Sequence, residues 1–297
     1  MAAVLVTLEK SAKGGMQKSF KYVPAVVLCY LIAMLLCTLG VWDMAETKPA
    51  YSALKNNLTY AMIFAMLLRC DIRKVLKLGP KMLIGFFSAT LTIMIGFVCA
   101  FVLMKGTIGS DAWMGLGALC GSWIGGSGNM VAVQAALDIS EADMGYALVI
   151  DSIDYSLWVM FLLWVIQLAS KFNKWTKADT SKLDEVSSLL LYAVIGLLAS
   201  RASLLELGEA PAWIATGFIV LGIHAVLMLI ICKLLKLDLF TAGVASLANI
   251  GGTASASVLA GSCSGSLVPV GILMALMGYV VGTPLAVVCA HIMESLA

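Results

Sequence analysis

The stretch SWIGGSGNM, residues 122–130, lies inside a segment that is otherwise apolar enough to cross a lipid bilayer. It contains two adjacent glycines, two serines and an asparagine. Hydrocarbon cannot satisfy exposed backbone groups, so irregular backbone at membrane depth is tolerated only where protein surrounds it or where it lines a cavity. The stretch therefore raises the question of an interrupted membrane helix.

The composition of the whole chain is that of an all-α polytopic membrane protein. Of 297 residues, 61% are hydrophobic and 12% are charged, with a mean hydropathy of +1.00. A soluble domain carries about 25% charged residues, roughly twice as many. The net charge of +2 is small and dispersed between apolar runs, which excludes nucleic acid as a partner.

Apolar runs of roughly 20 residues predict about nine transmembrane helices. They lie near 22–41, 56–70, 82–104, 111–138, 142–170, 187–205, 212–235, 239–262 and 267–293. The polar run KFNKWTKADTSKLDEV at 171–186 predicts a linker, and residues 1–21 are too short to span. This divides the chain into an N-terminal stub (1–21), a first repeat of five spans (22–170), the linker (171–186) and a second repeat of four spans (187–297).

The two halves share a sequence pattern at a shift of 126 residues. The shift places Gly125 on Gly251, Gly126 on Gly252 and Ser127 on Thr253, so that SWIGGSGN recurs as ANIGGTAS. Close helix packing is one explanation, because small residues at intervals of four suit helix interfaces in membranes. Recurrence in company with hydroxyl and amide groups favours two broken helices, near 122–129 and 248–255, which is the pattern of transporter binding sites.

Polar side chains next to the two predicted breaks are candidates for binding a solute. Free N–H and C=O groups at the ends of half-helices bind ions and polar solutes, and neighbouring hydroxyls and amides add further donors and acceptors. The predicted solute-binding residues are Ser127, Asn129, Asn249, Thr253 and Ser255, and the predicted helix-break residues are Gly125, Gly126, Gly251 and Gly252.

The chain resembles the YjcL-like family of bacterial membrane proteins, domain of unknown function 819. Long motifs carry the resemblance: GSWIGGSGNMVAVQAAL, YALVIDSIDYSLW and LVPVGILMALMGYVVGT. The family is similar to the cation/proton antiporter and anion transporter superfamily, which includes bile acid:sodium symporters. This implies two inverted repeats with crossed broken helices. Relatives carry about two further segments after the linker, so the second repeat here is expected to lack its first helix.

Two acidic residues, Asp151 and Asp154, fall in an apolar span. At 1.5 Å per residue they lie roughly 12 and 17 Å from Asp143, near the middle of a layer about 30 Å thick. An ionised carboxylate there costs about 3 kcal/mol, which makes both functional candidates. The predicted coupling-ion residues are Asp151, Ser152, Asp154 and Asn129. Protonated aspartates bound to a neighbouring helix remain the structural alternative.

Several other functions are disfavoured by the residues. An intramembrane aspartyl protease needs two carboxylates on facing helices, whereas these two share one helix, so no enzyme activity is expected. His224, alone in its span, is expected to be a buried and hydrogen-bonded histidine rather than a proton relay. The eight cysteines include no CxxC pair, and no metal or cofactor is expected beyond Na⁺ or H⁺ as coupling ion.

These features together predict a secondary transporter for a small polar or anionic solute, coupled to Na⁺ or H⁺ by alternating access. A passive channel and an internally truncated, non-transporting membrane protein are the alternatives. Expected partners are the lipid bilayer and a small-molecule solute, with a homodimer as an open alternative. The expected location is the bacterial plasma (inner) membrane. Lysines before the first span and basic residues at 69–81 predict a cytoplasmic N-terminus.

Overall fold

The computed structural model describes residues 72–178, 211–263 and 267–297, together with scattered positions before residue 72. Within these ranges the secondary structure is helical, without a strand. The predicted spans at 56–70 and 187–205, and nearly all of the stub and of the span at 22–41, lie outside the described residues.

The first group of helices begins with a long one and continues with two short ones. The helices are α1 (Ile72–Ile108), α2 (Trp113–Gly125), α3 (Ser127–Leu137), α4 (Glu141–Val165) and α5 (Ala169–Thr176). Ser140 caps α4, where its Oγ accepts a hydrogen bond from the backbone N of Asp143 at 3.2 Å. Because α5 extends to Thr176, the first part of the predicted linker, 171–176, is helical.

The second group has the same order of long and short helices as α1 to α4. It consists of α6 (Pro211–Leu235), α7 (Leu239–Ile250), α8 (Gly252–Cys263) and α9 (Val268–Glu294). Asp238 caps α7 by accepting a hydrogen bond from the backbone N of Thr241 at 2.7 Å. Pro211, the first residue of α6, has no N–H to leave unsatisfied there.

The bounds of the short helices agree with the shift found in the sequence. Helix α7 begins 126 residues after α2, at Leu239 against Trp113. Helix α8 ends 126 residues after α3, at Cys263 against Leu137. The order of helices and their spacing thus follow the sequence pattern, while the relation of the two groups as structural repeats stays a prediction.

Four of the described helical segments are long and apolar enough to cross a membrane by length and composition. They are Pro80–Ile108, Asp143–Thr176, Pro211–Leu235 and Val268–Glu294. Large apolar side chains such as Val226, Ile230 and Leu234 are exposed on α6, as expected for a helix surface that contacts lipid. The predicted class, a helical membrane protein, is confirmed, and the total of nine spans stays a prediction.

The short helices form the centre of the fold. Every residue of α7 is buried, as are nearly all residues of α2. Helix α2 packs against α9, and α1 packs against both α6 and α7. Glycines allow the closest approach: a Cβ atom built on Gly278 of α9 would lie 2.4 Å from the carbonyl oxygen of Ile124. This contact brings α9 directly onto the end of α2.

Candidate functional site

The first helix break lies at Gly126, between α2 and α3. Gly126 has φ 86° and ψ 176°, a conformation that only glycine adopts readily. Its backbone N bonds to the carbonyl of Ser122 at 2.6 Å, and its carbonyl accepts from the backbone N of Asn129 at 2.9 Å. One helix therefore ends and the next begins across a single residue, with Ser127 exposed beside it.

The second break lies at Gly251, between α7 and α8. Helix α7 ends with the backbone N of Gly251 bonded to the carbonyl of Leu247 at 2.9 Å. Gly252 follows with a φ of +65° and begins α8. Ser255 donates from Oγ to the carbonyl of Gly251 at 2.6 Å. That bond occupies one of the carbonyls that the interruption of the helix leaves without an intrahelical partner.

Helix α9, the last of the second group, packs on the first break. The amide of Asn129, in the first turn of α3, donates from Nδ2 to the carbonyl of Tyr279 at 3.1 Å. A Cβ on Gly282 would lie 2.4 Å from this Nδ2, and one on Gly125 would lie 2.6 Å from it. The Asn129 amide therefore fills a space that two glycines leave open.

Helix α4, the last long helix of the first group, packs on the second break in a comparable way. The Tyr155 hydroxyl donates to Ser255 Oγ at 3.2 Å, and a Cβ on Gly251 would lie 2.7 Å from Tyr155 Cε2. Ser255 and Asn129 correspond at the shift of 126 residues. Each break is thus bound by the last long helix of the other group, through corresponding residues of α3 and α8.

Tyr279 is the residue that touches both breaks. A Cβ on Gly126 would lie 3.3 Å from its ring, and one on Gly252 would lie 3.5 Å from its hydroxyl. The hydroxyl is 3.3 Å from Thr253 Oγ1, and the side chain is 46% exposed. Tyr279 was not among the predicted site residues. The available signal was the pair Gly278 and Gly282, which flank Tyr279 and are spaced four residues apart, as on one helix face.

Asp151 is held by the last turn of α2. Ser122 Oγ lies 3.1 Å from both carboxyl oxygens, and Trp123 donates from Nε1 to Oδ1 at 3.0 Å. Ser122 and Trp123 lie in the last turn of α2, just before the first break at Gly126. A carboxyl on α4 is therefore tied to the helix end that forms the break, although the sequence identified only the carboxyl and not its donors.

Asp154, one turn further along α4, has different surroundings. Its side chain is buried, and neither carboxyl oxygen has a hydrogen-bond partner in the part of the chain that the structure describes. It packs against Gly217 of α6, where a Cβ would lie 1.7 Å from Oδ2. Ser152 is exposed and does not lie on the buried face of α4 that carries Asp154. The predicted coupling-ion residues thus separate, because Asn129 is bonded to α9 while the two aspartates lie on α4.

Asn249, predicted to bind solute, has its amide directed at α1. Its Oδ1 accepts from Thr90 Oγ1 at 2.7 Å, and its Nδ2 donates to the carbonyl of Ala245 at 2.9 Å. The residue is fully buried. These contacts tie the end of α7 to α1, whereas Ser127 and Thr253 keep part of their surface accessible beside the breaks.

His224 lies in a chain of buried hydrogen bonds between four helices. Trp158 Nε1 donates to Ser246 Oγ at 2.9 Å, and Ser246 Oγ is 2.9 Å from His224 Nε2. His224 Nδ1 is 2.8 Å from Thr92 Oγ1. Both ring nitrogens have partners, which agrees with the expected buried and hydrogen-bonded histidine.

An apolar cavity of about 120 Å³ borders this chain, next to His224 and Ser246. Its other lining residues include Phe161, Met228 and Leu229, and it contains almost no polar surface. A polar solute would lose hydrogen bonds to water there without replacement. The breaks around Tyr279 therefore remain the better candidate site. The described residues contain no group of three His, Cys, Asp or Glu side chains that could hold a metal.

Long apolar helices and helix ends that meet inside the protein define the class, a helical membrane protein. The chain belongs to the family described as "Protein of unknown function (DUF819)", whose model matches residues 1–187 and 183–296. The two matches overlap at residues 183–187, around Val186, after which a missing segment is predicted. Searches of curated proteins and of solved structures gave no match.

Proposed function

We propose that this protein is a secondary transporter that moves a small polar or anionic solute by alternating access, coupled to Na⁺ or H⁺. One observation carries the proposal: two helices are broken within apolar segments, and both breaks contact Tyr279. Broken helices at corresponding positions of two halves are typical of transporter binding sites near the membrane midplane. The superfamily resemblance and the location in a bacterial inner membrane with a cytoplasmic N-terminus belong to the same proposal.

The predicted solute-binding residues divide into two roles in this proposal. Ser127 and Thr253, with the hydroxyl of Tyr279, contact the solute, because their side chains are at least partly accessible. Asn129 and Ser255 hold the breaks in place through their bonds to α9 and α4. Asn249 supports the end of α7 through its bond with Thr90.

One predicted coupling-ion residue, Asp151, is bonded to the helix that ends at the first break. Asp151 accepts hydrogen bonds from Ser122 and Trp123, two residues in the last turn of α2. A change of charge at Asp151 alters the strength of those bonds, because hydrogen bonds to charged groups are roughly twice as strong as neutral ones. Binding of a coupling ion on α4 would therefore change the stability of the end of α2, next to the first break and to the solute-contacting Ser127.

Electrical recording from proteoliposomes on a solid support tests the proposal. A panel of monocarboxylates, dicarboxylates and amino acids is applied under a Na⁺ gradient, a pH gradient or neither. We expect at least one solute to evoke a current that requires one of the gradients. Thr253→Val and Tyr279→Phe should each weaken the response about fivefold, which corresponds to losing roughly 1 kcal/mol from one hydrogen bond.

Matched controls are available within the chain. Thr216→Val makes the same chemical change in α6, where the hydroxyl donates to the carbonyl of Ala212 at 2.8 Å. Tyr146→Phe changes a tyrosine that stacks on Trp213. Both controls should keep the current. Currents independent of any gradient would favour a passive channel, and a panel with neither current nor a ligand-induced rise in melting temperature would favour a non-transporting protein.

A further inference from the structure

The buried carboxyl of Asp154 differs from every other buried polar side chain that the structure describes. Within the described ranges, its two oxygens are the only buried side-chain nitrogen or oxygen atoms without a hydrogen-bond partner. Buried polar groups are nearly always hydrogen-bonded, and an unpaired one calls for an explanation such as a functional role or a bound ion. Packing alone therefore does not explain why the Asp154 carboxyl is buried without a hydrogen-bond partner among the described residues.

The described residues around Asp154 offer no hydrogen-bond donor for an ionised carboxylate. On α6 it faces Gly217, whose hypothetical Cβ would lie 1.7 Å from Oδ2. The neighbouring hydroxyl of Thr216 already donates to the carbonyl of Ala212. On α4, the hydroxyl of Ser156 donates to the carbonyl of Ser152 at 2.5 Å. An isolated charge without partners in such a place is very costly, whereas a neutral carboxyl is tolerated more easily.

The titratable groups on the elements packed around Asp154 also favour a neutral Asp154 carboxyl. Asp151 lies one turn before it on α4, about 4.5 Å along the axis, and its carboxyl already receives hydrogen bonds from Ser122 and Trp123. On α6 the titratable side chain nearest to Gly217 along the helix is His224, two turns beyond it, with both ring nitrogens bonded to Thr92 and Ser246. Two neighbouring carboxyls in such a site do not readily carry two negative charges.

A bound metal cation does not fit this place. Hard cations in proteins are surrounded by several oxygen ligands, whereas the described residues contain no group of three His, Cys, Asp or Glu side chains that could hold a metal ion. A proton needs only one carboxyl oxygen. The absence of a side chain at Gly217 leaves the space that the carboxyl occupies.

We propose that Asp154 is a proton-binding site. Asp151, whose carboxyl is hydrogen-bonded to Ser122 and Trp123, is its anionic neighbour, and Gly217 makes room for the Asp154 carboxyl. One proton adds to a carboxylate oxygen of Asp154 and leaves from the same atom. The inference rests on the proposed function only for the further statement that this proton is the coupling ion.

Infrared spectroscopy of the full chain in lipid nanodiscs tests proton binding without any solute. A protonated carboxyl has a C=O stretching band that ionised carboxylates lack. We expect such a band in the wild type at neutral pH, a downshift on labelling aspartate with ¹³C at the side-chain carboxyl, and loss of the band in Asp154→Asn. Asp151→Asn should keep the band at a shifted frequency. A jump to high pH should remove the band.

Two further measurements keep the test decisive if Asp154→Asn does not fold. Gly217→Ala should shift or abolish the band by displacing the carboxyl, while Gly222→Ala, with nothing within 4 Å of the added Cβ, should not. Replacing choline by Na⁺ at fixed pH should leave the band unchanged. A band absent from the wild type at every pH, kept in Asp154→Asn, insensitive to Gly217→Ala, or lost on adding Na⁺ would overturn the assignment.

The same spectra separate this inference from the proposed function. A band that behaves as expected in a protein without proton-coupled solute currents would leave the proton site standing and remove the transporter proposal. Solute currents driven by a pH gradient that persist unchanged in Asp154→Asn would remove Asp154 as the coupling site, whatever its infrared band.

Discussion

The amide of Asn129 donates a hydrogen bond to the backbone carbonyl of Tyr279, with 3.1 Å between Nδ2 and the oxygen. The bond joins the first turn of α3 to α9, two elements 150 residues apart in the chain. Because Asn129 is buried between glycines of α2 and α9, its contribution is first to the position of the break. A contact with solute would be a second, separate role.

Substitution of Asn129 by alanine should therefore lower stability. The change removes the bond to Tyr279 and opens the space beside Gly125 and Gly282, and we expect a loss of about 1 to 3 kcal/mol. Thermal unfolding in detergent measures the effect as a lower apparent melting temperature. Ser127→Ala, two residues earlier and exposed, should stay within about 0.5 kcal/mol of the wild type. Equal melting temperatures for the two variants would contradict a structural role of the amide.

Glycine at position 125 is required by the crossing of α2 and α9. A Cβ there would lie 2.4 Å from the carbonyl oxygen of Gly278, which is backbone and has no freedom to move aside. Gly125→Ala should cost about 3 kcal/mol or more, as overpacking of a tight site does. Gly128→Ala adds the same methyl group where nothing lies within 4 Å, and it should be neutral or slightly stabilising. Yield of folded protein and melting temperature give the comparison.

The bond between Tyr155 and Ser255 can be measured by a double-mutant cycle. Tyr155→Phe and Ser255→Ala each remove one partner of the 3.2 Å contact, and the double variant removes both. If the bond stabilises the second break, the two effects should be non-additive by about 0.5 to 1.5 kcal/mol. Additive losses would mean that the two side chains act independently and that α4 does not hold α8 through this contact.

Asp238 combines a helix cap with an ion pair. Its Oδ1 caps α7 at Thr241, and its Oδ2 lies 2.7 Å from Lys81 Nζ on α1. Asp238→Asn keeps a cap and loses the ion pair, whereas Asp238→Ala loses both. The alanine variant should be less stable than the asparagine variant by about 1 kcal/mol, the usual value of a cap. Identical melting temperatures would show that the cap contributes nothing here.

The positions of the breaks could be predicted because the signal is local. Two glycines with hydroxyl neighbours inside an apolar run stand out in one segment, and their recurrence at 126 residues needs only the chain itself. Helix α2 ends at Gly125 and α7 ends at Ile250, within the predicted stretches 122–129 and 248–255. The total number of spans, their orientation and the missing helix remain predictions.

The partners of these residues could not be predicted in the same way. Asn249 bonds to Thr90, 159 residues away, and Tyr279 reaches both breaks from a helix that showed no sign of functional chemistry. Hydrophobic periodicity identifies an apolar helix but does not specify which of its faces meets which neighbour. The contact between Gly217 and Asp154 likewise depends on which face of α6 meets which face of α4.

The amino-acid sequence determined the membrane class and the family, because apolar length and long motifs are properties of the chain alone. It also determined which residues are unusual at membrane depth. Only the tertiary structure decided that Asp151 receives two donors while Asp154 receives none from the described residues, although both lie on one helix face. The physical reason is that hydrogen bonding inside a helical bundle depends on which side chains the neighbouring helices bring within about 3 Å.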